Sequence, residues 1–133
     1  EEEFASGSTW LLKCHFEQEE QLTDSEIDTI YGKLNSIEGW EARLHLLQVM
    51  PYMPISEQNK PNVESFVRHC LGDRNKFLRA WAYNALFVLS QQYPEYLVDV
   101  KRLFKIALRK EAPSIKARIK NILVQNKLEN QTP

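Results

Sequence analysis

The chain has 133 residues, 43% of them apolar and 26% charged, with a net charge of −1 and a pI near 6.4. That length suits one domain that buries roughly two thirds of the surface of its unfolded chain, and 4 glycines and 6 prolines exclude a fibrous or low-complexity chain. No apolar run approaches the roughly 20 residues of a membrane span, and Glu1-Glu2-Glu3 is the reverse of a basic secretory n-region.

Residues 1–22 read as an acidic lead-in followed by a capping helix, opened by Thr9 and burying Trp10, Leu11 and Cys14. Thr23-Asp24-Ser25-Glu26 is a capping box, in which hydroxyl and carboxylate satisfy each other's main-chain amides. It starts a helix that presents Ile27, Ile30, Tyr31 and Leu34, with Gly32 in its interior. A break over residues 36–39 leads to a second helix carrying Ala42, Leu46, Val49 and Met50, which Pro51 and Pro54 end by removing amide donors. Ser56 or Pro61 opens the next helix, with Val63, Phe66, Val67, Cys70 and Leu71 on its inner side. Gly72 is expected to end it in the left-handed conformation, and Asp73 to cap the helix that follows. That helix spans residues 75–90 and places Leu78, Ala82, Ala85, Leu86 and Leu89 on one stripe at i, i+4, i+7, i+8 and i+11. Pro94, suited to a first helical position, begins another with Val100, Leu103, Phe104, Ala107 and Leu108. After the turn at Ala112-Pro113, the last helix carries Ile115, Ile119, Ile122 and Leu123.

These helices repeat. Ile27, Val63 and Val100 occupy corresponding places 36 and then 37 residues apart, as do Leu34, Cys70 and Ala107, and as do Arg43, Arg79 and Lys116. A helical hairpin leaves one face unburied, so in-phase apolar stripes over successive hairpins mean that each covers its neighbour. The expected fold is all-α, a single domain with a capping helix over residues 1–22, repeats over 23–55, 56–91 and 92–129, and a tail over 130–133.

The second unit resembles a HEAT repeat: a helix, a short turn with Asp73, then Leu78-Arg79-x-x-Ala82-x-x-x-Leu86. The resemblance covers residues 24–127 and implies a right-handed α-α superhelix of about three hairpins. It also implies a structural ladder in which the turn acid Asp73 meets the base Arg79. The acid is replaced by Ile37 in the first unit and by Lys110 in the third. The family serves many roles, so architecture does not name an activity.

In such solenoids the second helices of the hairpins resemble those that line the concave side. Their outward stripe holds His45, Trp81 and Arg118 in one column and the carboxamides Gln48, Asn84 and Asn121 in the next, with Tyr52 and Gln125 extending it. A carboxamide is donor and acceptor at once, so a row of them about 10 Å apart can pair with the backbone of an extended peptide. An aromatic beside the row adds apolar contact or holds a cation. The pattern is similar to the peptide groove of armadillo proteins, although Trp81 and Asn84 stand three residues apart and one unit alone carries Trp. The plainer reading is that Trp81 packs between repeats and the amides are solvated. Either way the expected role is a protein-interaction or scaffold module, with no catalysis and no cofactor.

Charge is divided along the chain. Residues 1–66 carry 13 acidic and 4 basic side chains, and residues 67–133 carry 5 acidic and 13 basic. A protein or peptide partner, acidic where it meets the basic end, fits this division. The alternative is a HEAT-like nucleic-acid-binding or DNA-alkylation-repair protein. The stripe Lys101, Lys105, Arg109 is more simply a solvated helix face, and the pI is far from that of a DNA binder. Cys14-His15 and Cys70-His69 invite a metal, but adjacent helical residues point about 100° apart and each pair offers one ligand at most. The cysteines read as buried free thiols of a reducing, cytoplasmic setting. Nucleophile elbows, phosphate loops and dinucleotide fingerprints are all missing from the sequence.

Overall fold

The computed structural model describes residues 22–126. The expected capping helix and the tail lie outside them. The described residues form an all-α domain of six helices with no strand: α1 Asp24–Gly32, α2 Trp40–Val49, α3 Lys60–Leu71, α4 Lys76–Gln92, α5 Leu97–Lys110 and α6 Pro113–Asn126. Among these residues no helix is long and apolar enough to cross a membrane.

Local chemistry accounts for the boundaries. The Thr23 hydroxyl accepts from the Glu26 amide at 3.2 Å, and the Thr23 amide donates to Glu26 Oε1 at 2.9 Å, which closes the capping box. α1 stops at Gly32, so that glycine ends the helix instead of interrupting it, and Leu34 reaches the core from a short 3-10 turn over Leu34–Ser36. Gly39 sits at φ 86°, a conformation that admits glycine at no steric cost, and sets the direction in which α2 departs. Pro51 falls inside a 3-10 turn just past Val49, where α2 ends.

The α3–α4 turn departs from expectation. Gly72 has φ −97° and ψ 5°, outside the left-handed region. Its amide donates to His69 O, and the Asp73 amide to Cys70 O, both at 3.2 Å. The reversal is made by side chains: Asp73 Oδ1 accepts from the Asn75 amide at 2.8 Å, and Asn75 Oδ1 accepts from Phe77 at 2.8 Å and Leu78 at 3.4 Å. Asn75 is therefore the cap of α4, one step removed from Asp73.

α4 is the organising helix. It packs on α2 and α6 to either side and on α3 and α5 beneath, while α1 packs on α3 and α5 on α6. Leu78, Ala82, Ala85, Leu86 and Leu89 are each fully buried, in one core that also holds Ile27, Val63 and Val100. A buried leucine of this kind contributes about 1.5–3 kcal/mol, so the stripe is the main source of cohesion between the two layers.

Polar contacts recur with the period. Asn59 Nδ2 donates to Asp28 Oδ1 at 3.2 Å, and Tyr96, 37 residues on, donates to Glu64 Oε1 at 2.7 Å, Glu64 lying 36 residues past Asp28. Likewise Arg43 Nε donates to Ile37 O at 3.1 Å and Arg79 Nη1 to Asp73 O at 3.0 Å. Between the first two units the chain crosses through Met53-Pro54-Ile55. There Tyr31 Oη donates to Met53 O, Tyr93 Oη donates to Ile55 O at 2.6 Å, and the Ile55 amide donates to Gln92 Oε1 at 2.9 Å.

Candidate functional site: the face shared by α2, α4 and α6

Packing of α2 on α4 and of α4 on α6 carries the two expected columns onto successive helices. His45, Trp81 and Arg118 are all half-buried. The Arg118 guanidinium lies over the Trp81 ring, 4.1 Å from its centre. Trp81 also rests against the core. One face of the indole is thus covered from within the chain, an arrangement that stabilises by about 0.5–1 kcal/mol at a partly exposed site.

The carboxamide column is graded in depth. Asn121 is exposed and Asn84 half-buried, and neither side chain has a hydrogen-bond partner among the described residues. Gln48 is half-buried, and its Oε1 is cut off from solvent without a donor. An unmet buried acceptor costs about 1–3 kcal/mol. Asn84 and Asn121 are where this row has hydrogen-bonding capacity to offer at the surface.

Beside it lies a cleft of about 240 Å³ lined by Met50, Pro51, Met53, Pro54, Val88, Gln91 and Gln92. Val88 and Gln91 follow Trp81 and Asn84 at helical spacing, so the cleft continues the same face of α4 toward its C-terminus. Extending the stripe of α4 by two more turns would have found both residues. Tyr52 is exposed at the near end of this stretch.

The expected pairing of Asp73 with Arg79 takes a different form. Arg79 does reach Asp73, but through the main-chain carbonyl, and donates to Arg74 O as well, at 3.0 Å each. Its carboxylate partner is Glu111 in the next turn, with Nε to Oε2 at 3.0 Å and Nη2 to Oε1 at 3.1 Å. Both side chains are mostly shielded, at 21% and 17% exposed. A bidentate fork of this kind joins adjacent hairpins. A second junction is Arg68, which donates to Glu64 Oε2 and to Asp99 Oδ2 at 2.9 Å each, while Arg102 meets Asp99 Oδ1 at 2.6 Å. The Tyr96 hydroxyl, together with Arg68, holds the Glu64 carboxyl below its ordinary range, and Arg68 with Arg102 does the same for Asp99.

His69 is exposed whereas Cys70 is buried, so the adjacent pair points to different sides of α3. Burial pushes the Cys70 thiol up to about 11. Among the described residues, no three His, Cys, Asp or Glu side chains gather where a metal could sit.

No family model matches the chain, and it matches neither a curated protein nor a solved structure.

Proposed function

We propose that the chain is a HEAT-like module, a right-handed superhelix of three hairpins, that holds an extended segment of a partner protein along the α2–α4–α6 face. The alternation of layers and the polar contacts that recur one unit apart support the architecture. The observation that carries the function is the row Gln48, Asn84, Asn121 on three successive helices: Asn84 and Asn121 reach the surface with no hydrogen-bond partner among the described residues, while Gln48 Oε1 lies beneath it. An extended peptide offers alternating amides and carbonyls, which is the complement of such a row. The cleft at Val88 and Gln91 would take an apolar side chain of that segment. Recognition needs no covalent chemistry, and Arg118 on Trp81 keeps the column rigid before binding.

The test is selection of displayed peptides on the whole protein, followed by titration of the best binder against wild type and Asn84→Ala/Asn121→Ala. Two lost hydrogen bonds at about 1 kcal/mol each weaken binding more than about tenfold, and thermal stability stays unchanged because neither side chain is bonded among the described residues. Equal affinity for the double variant overturns the groove. A short duplex DNA in parallel, bound in place of peptide and released by salt, would favour the nucleic-acid alternative.

A further inference from the structure

The two junctions between hairpins are built on the same arginine position but finished differently. Arg79, where the second hairpin meets the third, gives Nη1 to two carbonyls and Nε and Nη2 to the Glu111 carboxylate. Arg43 holds the corresponding place 36 residues earlier, where the first hairpin meets the second. Its Nε donates to Ile37 O at 3.1 Å, the carbonyl that corresponds to Asp73 O. Neither of its Nη groups has an acceptor among the described residues. The place of Glu111 falls, 37 residues back, on Arg74, so the register supplies a second cation here instead of an acid. Asp73, which like Arg43 is near enough to act on the Cys70 thiol, gives Oδ1 to the Asn75 amide. It forms no ion pair with Arg43 among the described residues.

In place of a carboxylate there is a cavity. About 210 Å³ opens beside Arg43, between α3 and the 3-10 turn over Leu34–Ser36, which pack on each other. Leu34, Ile37 and Phe66 form its apolar wall, and its polar lining is Arg43, Asn35, Ser65 and His69. All four polar side chains can donate a hydrogen bond, and they come from three segments: the turn, α2 and α3. Ser65 and His69 stand four residues apart on α3 and so share one side of it. Apart from the Arg43 bond to Ile37, none of these side chains has a hydrogen-bond partner among the described residues. No carboxylate lines the cavity. A half-buried cation without a counter-charge is destabilising. Glu111 offsets that at one junction, and nothing among the described residues does so at the other.

We propose that this cavity binds a phosphate group, Nη1 and Nη2 of Arg43 taking two of its oxygens and Ser65, His69 and Asn35 the rest. A carboxylate has two oxygens, and the Arg79–Glu111 fork shows that one guanidinium satisfies it. Donors converging from three segments suit the three terminal oxygens of a phosphate monoester or the four of inorganic phosphate. The wall of Leu34, Ile37 and Phe66 lowers the local dielectric, which strengthens each of these bonds. Phosphate then joins the first hairpin to the second as Glu111 joins the second to the third. The site shares no residue with the carboxamide row and does not depend on the peptide groove.

Titration of the whole chain at constant ionic strength tests this, with inorganic phosphate in one arm, N-acetyl-O-phosphoserine amide in another and chloride as the control. Binding is read from the NMR shifts of Arg43, Ser65 and His69. The expected result is saturable shifts confined to the residues of the cavity and absent with chloride. Tighter binding of the phosphoserine probe supports the proposal with a phosphorylated protein side chain as the occupant. Tighter binding of inorganic phosphate supports it with the free anion. Arg43→Gln also removes the bond to Ile37 and lowers stability, so the deciding variant is Ser65→Ala/His69→Ala, at two exposed positions. Two lost charge-assisted bonds weaken affinity more than about tenfold, with the melting temperature in chloride unchanged. Shifts no larger than those in chloride for both probes, or a double variant that binds as the wild type does, overturn the proposal.

Discussion

Arg118 of α6 lies over the ring of Trp81 of α4, its guanidinium 4.1 Å from the ring centre, and the two residues come from the same place in successive units. The stack is both a junction and the floor of the candidate face. A double-mutant cycle with Trp81→Leu and Arg118→Gln isolates it. The expected coupling is about 0.5–1 kcal/mol, read from denaturant midpoints at low salt, and a coupling near zero would show that the pair adds nothing to the fold.

Arg79 ties three carboxylate and carbonyl groups of two turns together, which predicts an unequal response to mutation. Glu111→Gln keeps hydrogen-bonding capacity and costs about 1 kcal/mol. Arg79→Met leaves the mostly shielded Glu111 without its cation and two carbonyls without their donor, and costs about 3 kcal/mol. Urea unfolding of the two variants checks the order. A smaller loss for Arg79→Met than for Glu111→Gln would contradict this reading of the junction.

Much of this fold was legible because helical periodicity is a strong signal over long apolar stripes. The stripe of α4 was found residue by residue, and the Thr23-Glu26 box announces itself through spacing alone. What escaped depended on local geometry of one residue. Gly72 looked like a left-handed terminator, but two 3.2 Å main-chain bonds and the Asp73 carboxylate turn the chain without it. Asp73 Oδ1 takes the Asn75 amide, and Arg79 takes its acid from Glu111. The third turn offers Glu111 one position beyond the Lys110 that the repeat register selects, and a column comparison cannot see a side chain that reaches back by one residue. At the candidate site the columns were legible, whereas the stacking of Arg118 on Trp81 was not, since spacing gives proximity and not which face of a ring is covered.

The carboxyls of Glu64 and Asp99 are held below their ordinary values of 4.5 and 3.8 in the folded chain, mainly by the Tyr96 hydroxyl and by Arg68 respectively. The unfolded chain therefore binds more protons in this range, and stability contributed by the two groups is complete above their unfolded values. It is lost as pH falls through the lower folded values. Arg68→Gln should flatten the fall in melting temperature below about pH 4 while changing the neutral value by about 1 kcal/mol or less, as suits partly exposed pairs. An unchanged acid limb would show that Arg68 does not set these carboxyls.

Cys70 is fully buried, and its thiol is pushed up to about 11 by desolvation. The thiolate is the reactive species, so at pH 8 both its scarcity and its inaccessibility slow reaction. In a Cys14→Ser background, labelling by a small alkylating reagent should run more than about 100-fold slower than with a free thiol and recover full speed in denaturant. Because Cys70 follows Leu34 and precedes Ala107 in the repeat, its protection reports on the middle hairpin in particular. Leu86→Ala, which opens a cavity in the same core at a cost of about 2–5 kcal/mol, should raise the labelling rate in step with the lost stability. Rapid labelling of the native wild-type chain would mean that the middle hairpin opens far more readily than its packing implies.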